Sequence, residues 1–216
     1  MNDDHLLDLP ADVLLERFGS AEPAPGGGSA AALAGALSGS LARMVALLTI
    51  GKKNYEAVSD EAERLASQAQ DLADQLAAAV EEDARSFDAV MAAMGLPKAT
   101  DEEKATRKAA MQEAFKGATM VPLATAKACL EAGRVALRLL AIGNQNASTD
   151  AGVAVLMAVA GAEGALFNVA INLGSIKDEA WLAERRAEID PIWKALDALR
   201  ADLWPAMKNA GVDVPR

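Results

Sequence analysis

The sequence is poor in the residues that carry much of enzyme chemistry. Among 216 residues it has one cysteine, Cys129, and one histidine, His5. A single cysteine excludes an intramolecular disulfide, and a single histidine excludes a histidine-rich metal site and disfavours a Ser-His triad. Because Cys129 lies in the helix-like stretch ATAKACLEA, we expect a small core residue there rather than a nucleophile.

Aromatic side chains and positive charge are also scarce. Aromatic residues make up 4% of the chain and hydrophobic residues 52%, so alanine, leucine, valine and methionine must form the core. Alanine and leucine favour helices, whereas the residues typical of strands are sparse. The formal net charge of −10 repels phosphate backbones, and we expect no nucleic-acid partner.

The N-terminal segment lacks the basic residues that open a secretion signal, so we expect a cytoplasmic protein, which a single cysteine also suits. Two apolar stretches, 29–50 and 152–171, approach the length of a membrane span. The first is interrupted by Arg43, and the second contains Glu163 and Asn168. We therefore predict buried helices of a soluble protein, with no membrane partner.

Helical patterns cover most of the chain and predict an all-α fold, an up-and-down bundle of long helices in a single domain over residues 1–216. Ser29 is the predicted N-cap of the second helix and Gly51 its stop signal. Thr100 and Glu103 form a predicted capping box, and Pro122 marks a potential kink. The predicted helices are 11–18, 29–50, 56–94, a segment from about 104 to 142, 148–173 and one from 178 onward.

Small residues recur on one face of the second predicted helix. Ala31, Gly35 and Gly39 are spaced four apart, so this face allows another helix to approach closely. Several predicted helices are nearly all apolar, which implies burial against a second subunit in so short a chain. We therefore expect a homodimer.

One carboxylate interrupts an apolar stripe on the long helix. Leu72, Leu76, Val80, Phe87, Val90 and Met94 recur at helical spacing, and Asp83 lies in the middle of this stripe. A carboxylate that faces a core costs several kcal/mol unless it is paired or protonated. Asp83 is therefore either a structural ion-pair or capping residue or a general acid/base with a raised pKa.

A second polar cluster lies in and before the fifth predicted helix. Asn144 precedes the helix, Asp150 falls in its first turn, and Asn168 and Asn172 form an i, i+4 pair on its far half. Asp150 could complement the helix dipole. The two amides could bind the edge of a heterocycle or satisfy the backbone of a crossing helix, and the sequence favours neither.

A glycine-rich segment and a basic corner flank the small-residue helix. The segment PGGGSAA matches no phosphate-loop motif, but it leaves bare N–H groups at a helix N-terminus, a general site for an anion or a carbonyl. The corner TIGKKNYE is either a solvated turn or an anchor for an anionic ligand tail. The candidate ligand-binding residues here are Gly26, Gly27, Gly28, Ser29, Lys52, Lys53 and Tyr55.

These motifs together resemble one known family. The segments PAPGGGSAAALAGALSGSLARMVALLTIGKKNYE, DARSFDAVMAAMGLPKATDEEK, GNQNASTDAGVAVL and FNVAINL are similar, in this order, to the cyclodeaminase/cyclohydrolase family. That family occurs at the C-terminal end of formiminotransferase-cyclodeaminases and alone as bacterial methenyltetrahydrofolate cyclohydrolases. The resemblance runs from about residue 23 to 178.

The resemblance implies an all-helical homodimer that binds reduced folate in a cleft near the subunit contact, without a metal or a redox cofactor. It also assigns the catalytic role to the aspartate of the DARSF motif, which is Asp83. Asn168, Asn172 and Asp150 would then bind the pterin or the bridging carbon. The glycine segment and Lys52 or Lys53 would bind the glutamate tail.

Two reactions and one non-catalytic role are compatible with this resemblance. Cyclohydrolysis of 5,10-methenyltetrahydrofolate is favoured, since no formiminotransferase segment accompanies these motifs. Cyclodeamination of 5-formiminotetrahydrofolate passes through a similar tetrahedral carbon and is the alternative. A folate-binding helical dimer without catalysis is the third possibility, and it predicts that Asp83→Asn changes nothing measurable.

Overall fold

The computed structural model describes residues 5–212, and these residues form a bundle of six α-helices with no strand among them. The predicted all-α class is confirmed. The helices are α1 (Ala11–Phe18), α2 (Gly27–Leu47), α3 (Ser59–Met94), α4 (Asp101–Ile142), α5 (Ser148–Leu173) and α6 (Glu179–Asn209).

Most helix ends fall where the sequence predicts them. The Thr100 hydroxyl accepts a hydrogen bond from the Glu103 N–H at 3.1 Å, and the Glu103 carboxylate accepts one from the Thr100 N–H at 3.0 Å, so the capping box is confirmed. The α4 helix continues through Pro122 to Ile142. The last helix begins after Asp178, whose carboxylate accepts a hydrogen bond from the Trp181 N–H.

The boundaries around the second helix need correction. Its N-cap is Gly26, and Ser29 lies inside the first turn with its side chain buried, so the predicted Ser29 cap is wrong. The helix ends at Leu47, short of the predicted residue 50, and Gly51 adopts a φ of +68° in the turn beyond. A short 3-10 helix, Lys53–Val58, replaces the start of the long helix predicted from residue 56.

The core of the bundle is built on close contacts among α2, α4 and α5. A side chain at Gly35 would lie 2.4 Å from the Cys129 Sγ atom, and one at Gly161 would lie 2.7 Å from the Ala31 carbonyl oxygen. A side chain at Gly39 would meet α3 at 3.0 Å. The predicted close-packing face of α2 is therefore confirmed, as is the burial of Cys129.

Two helices are long and apolar enough to cross a membrane by length and composition, Gly27–Leu47 and the segment Gln145–Leu173. Half of each apolar window is buried inside the bundle, where α2 and α5 pack on each other and on α4. This packing is typical of core helices, which pass the same test of length and composition as membrane spans.

A helical hairpin extends past the start of α2 and creates a concave corner. Asp83 lies beside Gly28 at the N-terminus of α2, and α3 runs on for three further turns to Met94 before α4 returns. The C-terminal end of α5 lies at the same corner, where the Asn172 side chain contacts the Ala118 carbonyl of α4. The hairpin, α2 and α5 thus surround a cleft.

Candidate active site

The cleft has a volume of about 470 Å³ and is assembled from four helices, the loop before α2 and the turn after α5. Its polar residues are Asp83 and Ser86 of α3, Asn168 and Asn172 of α5, and Ser175 just after α5. Its apolar wall comes mainly from the helical hairpin. The apolar side chains of this wall are those of Phe87, Val90, Met91, Met94, Phe115 and Ile171.

The carboxylate of Asp83 is held at the N-terminus of α2. The Ser29 hydroxyl donates to Asp83 Oδ2 at 3.1 Å, and the Ser29 backbone N–H donates to the same carboxylate. The N-cap residue Gly26 supplies no side chain for this end of the helix, so Asp83 acts as the cap from a different helix.

The glycines of the PGGGS segment make room for this carboxylate. A side chain at Gly28 would lie 2.1 Å from Asp83 Oδ1, closer than atoms can approach, whereas one at Gly27 would meet the Asn168 amide at 3.5 Å, an ordinary contact. Gly28 is therefore required by Asp83 itself. The glycine run provides access for a protein carboxylate as well as for a ligand.

Two opposing effects set the pKa of Asp83. Burial raises the pKa of its carboxyl, and the hydrogen bonds from the Ser29 hydroxyl and N–H lower it. Burial is the larger effect, so the pKa lies above the ordinary value of 3.8. A carboxylate that is partly desolvated, accessible from a cleft and raised in pKa has the properties of a general acid/base.

The two asparagines of α5 turn their amide groups in a specific way. The Asn168 Nδ2 donates to the Gly164 carbonyl of its own helix at 2.9 Å. The Asn172 Nδ2 donates to the Ala118 carbonyl of α4 at 2.8 Å. This carbonyl lacks its usual helical donor, because residue 122 is proline and has no N–H. Asn172 thus satisfies a crossing helix, one of the two sequence-based alternatives, while the amide oxygens of both residues stay available to the cleft.

The polar lining that the structure describes carries no cation. It consists of one carboxylate, two amides and two serines, and none of the described lining residues is lysine, arginine or histidine. Such a site suits a ligand that is cationic or rich in N–H donors. Within residues 5–212, no cluster of three or more His, Cys, Asp or Glu side chains is placed to hold a metal ion.

Five of the predicted site residues lie outside the cleft, at the other end of α2. Lys52, Lys53 and Tyr55 follow the C-terminal end of α2, which at 21 residues is about 30 Å long. Asn144 and Asp150 lie near that same end, before and in the first turn of α5. The cleft therefore contains Asp83, Asn168, Asn172 and the glycines, but not this second group.

Two members of the second group, Tyr55 and Asn144, connect the neighbouring turns. The Tyr55 hydroxyl accepts from the Gln145 N–H at 2.9 Å. The Asn144 side chain donates to the Leu48 carbonyl and accepts from the Asn146 N–H. We call this region, residues 48–58 and 143–150, the corner end of the bundle.

Sequence reasoning missed the apolar wall of the cleft. Phe87 and Met94 were predicted to belong to a core stripe, but beyond Asp83 the residues of this stripe line the cleft, and only Val90 among them is buried. The chain has only four phenylalanines, and two of them, Phe87 and Phe115, face the cleft. Aromatic scarcity was the signal that could have identified them.

Comparison with known proteins gives a consistent picture. The chain is 41% identical over 198 residues to a methenyltetrahydrofolate cyclohydrolase of Methylorubrum extorquens, covering 92% of this chain and 95% of that protein. It is 37% identical over 187 residues to the formimidoyltransferase-cyclodeaminase of Sus scrofa, covering 87% of this chain but only 35% of that longer protein.

Solved structures agree with the sequence relatives. The crystal structure of a formiminotetrahydrofolate cyclodeaminase from Thermotoga maritima superposes with a TM-score of 0.84 at 25% identity, covering 94% of this chain and 98% of that one. A family model described as Formiminotransferase-cyclodeaminase matches residues 10–191. The fold, the cleft and these matches together establish that the chain belongs to the formiminotransferase-cyclodeaminase family.

Proposed function

We propose that the protein is a methenyltetrahydrofolate cyclohydrolase, which hydrolyses 5,10-methenyltetrahydrofolate to 10-formyltetrahydrofolate. The observation that carries this proposal is the cleft, in which one partly buried carboxylate lies among acceptor groups and no lining cation. The substrate is a cation in which one carbon bridges N5 and N10. The similarity to the Methylorubrum cyclohydrolase over nearly its whole length supports the same activity.

Asp83 first acts as a base. Water attacks the bridging carbon, and Asp83 removes a proton from that water as the new C–O bond forms. The positive charge of the amidinium disappears in the same step, giving a neutral tetrahedral carbon bonded to both nitrogens. As an anion, Asp83 also stabilises the cationic substrate before attack.

Asp83 then acts as an acid. The protonated carboxyl returns its proton to N5 while the bond between N5 and the carbon breaks. The hydroxyl loses its proton to solvent and becomes the formyl oxygen on N10. The balance is one water consumed and one proton released, and no metal or redox cofactor enters. We therefore expect treatment with a chelator to leave the turnover rate unchanged.

Asn168 and Asn172 bind the donor edge of the pterin in this proposal. Their amide nitrogens are occupied by the Gly164 and Ala118 carbonyls, so their oxygens can accept from pterin N–H groups. The apolar wall contributes Phe87 and Phe115, which can contact the faces of the ring system. The glycine segment at the mouth of the cleft leaves room for the rest of the ligand.

Cyclodeamination of 5-formiminotetrahydrofolate is the second candidate. The similarity to the Thermotoga cyclodeaminase structure over most of both chains is the observation that favours it. In that reaction N10 attacks the formimino carbon and ammonia leaves, so the reacting carbon again lies between N5 and N10. Asp83 would again exchange the protons.

A spectroscopic assay separates the two reactions. Purified protein and its Asp83→Asn variant each receive methenyltetrahydrofolate and, in parallel, 5-formiminotetrahydrofolate, and the near-ultraviolet absorbance of the methenyl group is followed. Enzyme-dependent loss of that absorbance supports the cyclohydrolase. Formation of that absorbance from the formimino compound, without any loss of it from methenyltetrahydrofolate, supports the cyclodeaminase. No change with either substrate would refute both activities.

Exposed apolar residues of α2 and α5 support a homodimer in this proposal. Leu37 of α2 is 46% exposed, and Leu156, Phe167 and Ile171 of α5 are 47%, 66% and 74% exposed. The one carboxylate in this stripe of α5, Glu163, is already paired with Arg200 of α6. An apolar face this long is suited to burial against a second copy.

In an antiparallel dimer of this kind, the corner end of one subunit meets the cleft end of the other. Lys52 and Lys53 make no ion pair within residues 5–212, so their charge is available for the carboxylates of a folate tail. This pairing also places Lys52 and Lys53 near a cleft in which Asp83 is the one charged residue of the described lining, whereas a parallel pairing would bring the lysines of the two copies together. Tyr55, Asn144 and Asp150 would support the tail site by shaping that corner.

The dimer and its tail site have separate tests. Leu37→Glu should convert the dimer to monomer in sedimentation analysis, whereas Leu15→Glu on α1, where Leu15 is 71% exposed outside this face, should not. Lys52→Gln with Lys53→Gln should raise KM for folate and leave the dimer intact. A monomeric parent protein would refute the arrangement.

We further propose a cytoplasmic location, where the reduced folate pool and the single free thiol would be protected from oxidation.

A further inference from the structure

Ser29 was predicted to cap α2 or to bind the ligand; the cap position is Gly26, and Ser29 is not among the residues that line the cleft. Its side chain is 0% exposed, and its hydroxyl points to Asp83 rather than into the cleft. We infer that Ser29 is a positioning residue that fixes one oxygen of the Asp83 carboxylate and thereby leaves the other to exchange protons with the substrate. This inference rests on the proposed role of Asp83 as acid/base.

The geometry makes Ser29 the one side chain that orients the carboxylate. Among residues 5–212, the hydroxyl of Ser29 is the only side-chain donor to the Asp83 carboxylate, and the Ser29 N–H is the second donor; the Ser86 hydroxyl donates to the backbone carbonyl of Asp83 instead. Gly28 lies against Oδ1, so the carboxylate is confined between a donor on one side and a bare backbone on the other. A carboxyl that cannot rotate presents a defined oxygen to the reacting atoms.

No other charged group competes for this role. Asp83 is the only titratable residue among those described around the cleft, whether from α2, α3, α4 or α5. Its charged neighbours on α3, Glu82 and Arg85, are exposed and line a groove elsewhere on the hairpin, and Glu81 accepts a hydrogen bond from the Leu6 N–H. Removing the Ser29 hydroxyl therefore changes one interaction of Asp83 and leaves its electrostatic surroundings unchanged.

The direction of the effect is fixed by the chemistry. A donor favours the ionised carboxylate, so its loss makes Asp83 harder to deprotonate. Ser29→Ala should therefore move the acidic limb of the kcat/KM profile upward by about one pH unit and lower kcat by about tenfold. The basic limb should not move, because the hydroxyl contacts no other titratable group.

Ser38→Ala is the matched control. Ser38 is on the same helix, its side chain is also 0% exposed, and its hydroxyl has no hydrogen-bond partner. The substitution thus removes the same atom from the same helix without touching Asp83. A general effect of losing a buried hydroxyl from α2 would alter both variants equally and would overturn the inference.

A second readout does not depend on turnover. The carboxyl carbon of Asp83, assigned by its disappearance in Asp83→Asn, can be titrated by carbon-13 NMR in the substrate-free protein. The inference requires a higher midpoint in Ser29→Ala than in wild type and Ser38→Ala, and equal midpoints would refute it. Should the midpoint move although wild type converts neither folate, the positioning role stands and the proposed function fails.

Discussion

The two ends of the α2–α5 pair use similar polar residues in opposite ways. At the corner end, both polar groups of the Asn144 side chain and the hydroxyl of Tyr55 are hydrogen-bonded to backbone groups of two neighbouring turns. At the cleft end, Asn168 and Asn172 commit only their nitrogens, and Asp83 is held by a single residue. The polar groups at the corner end are used in structural hydrogen bonds, whereas those at the cleft end retain acceptors without a partner in the protein.

The contrast separates polar residues with a structural role from those that are available to bind a ligand. Both kinds lie at helix ends, and both interrupt apolar sequence, so sequence position does not distinguish them. What distinguishes them is the unused hydrogen-bonding capacity after the fold has formed, which at the cleft end faces an open volume. Substitutions at the two ends should therefore separate activity from stability.

The largest effect is expected for Asp83→Asn. The amide keeps the shape of the side chain but cannot accept and return a proton, so kcat should fall by about 10²–10⁴-fold while the fold persists. Initial rates with methenyltetrahydrofolate measure this loss. Asp88→Asn, an exposed carboxylate on the same helix, is the control and should retain wild-type rates.

Gly28→Ala should have the next largest effect. Its new methyl group would lie 2.1 Å from Asp83 Oδ1, so the carboxylate must move. Misplacement of a reacting group by about 1 Å can cost on the order of 10²-fold in rate. Gly27→Ala, whose methyl group meets Asn168 at an ordinary 3.5 Å, should cost far less, and equal losses in kcat would contradict this account.

A matched pair of asparagines compares the two ends directly. Asn144→Ala removes two hydrogen bonds at the corner end and Asn172→Ala removes one at the cleft end, and each should cost about 1–2 kcal/mol of stability. Only Asn172→Ala should also raise KM for the folate, since only its oxygen faces the cleft. Thermal melts and steady-state kinetics on the same samples test both statements.

The smallest expected effect is a pH dependence of stability. The raised pKa of Asp83 means that the folded state prefers the neutral carboxyl, so its contribution is present below the ordinary value of 3.8 and is lost as pH rises through the raised pKa. Asp83→Asn lacks this loss. The Tm of Asp83→Asn relative to that of wild type should therefore increase as pH rises through that range, by no more than about 2 °C. A relative Tm that increases on acidification would contradict this account.

The helices were predictable from the sequence for local reasons, and so was the unusual placement of Asp83. The capping box at Thr100 and the Gly35 and Gly39 face depend on residues a few positions apart. Asp83 was identifiable because a carboxylate in an apolar stripe is costly wherever the stripe packs. These features need no knowledge of which helices are neighbours.

What could not be predicted depends on where helices end relative to one another. The Ser29 hydroxyl suits an N-cap by residue type, yet Asp83 of another helix provides the cap, and no local pattern reports this. Lys52 and Tyr55 resemble binding residues in sequence, but α2 separates them from the cleft by its full length within one chain. The apolar residues beyond Asp83 continue the helical period although their partner is an open cleft.

The bond between Asn172 and α4 has a mechanical consequence. Because Pro122 leaves the Ala118 carbonyl without its usual helical donor, the last turn of α5 is fastened to α4 rather than only resting on it. Those two helices form one stiff wall of the cleft, while the opposite side is a short proline- and glycine-containing loop that leads into α2. In the proposed site, we therefore expect ligands of different length to be accommodated on the loop side, because the hydrogen bond between Asn172 and Ala118 fixes the α4–α5 side.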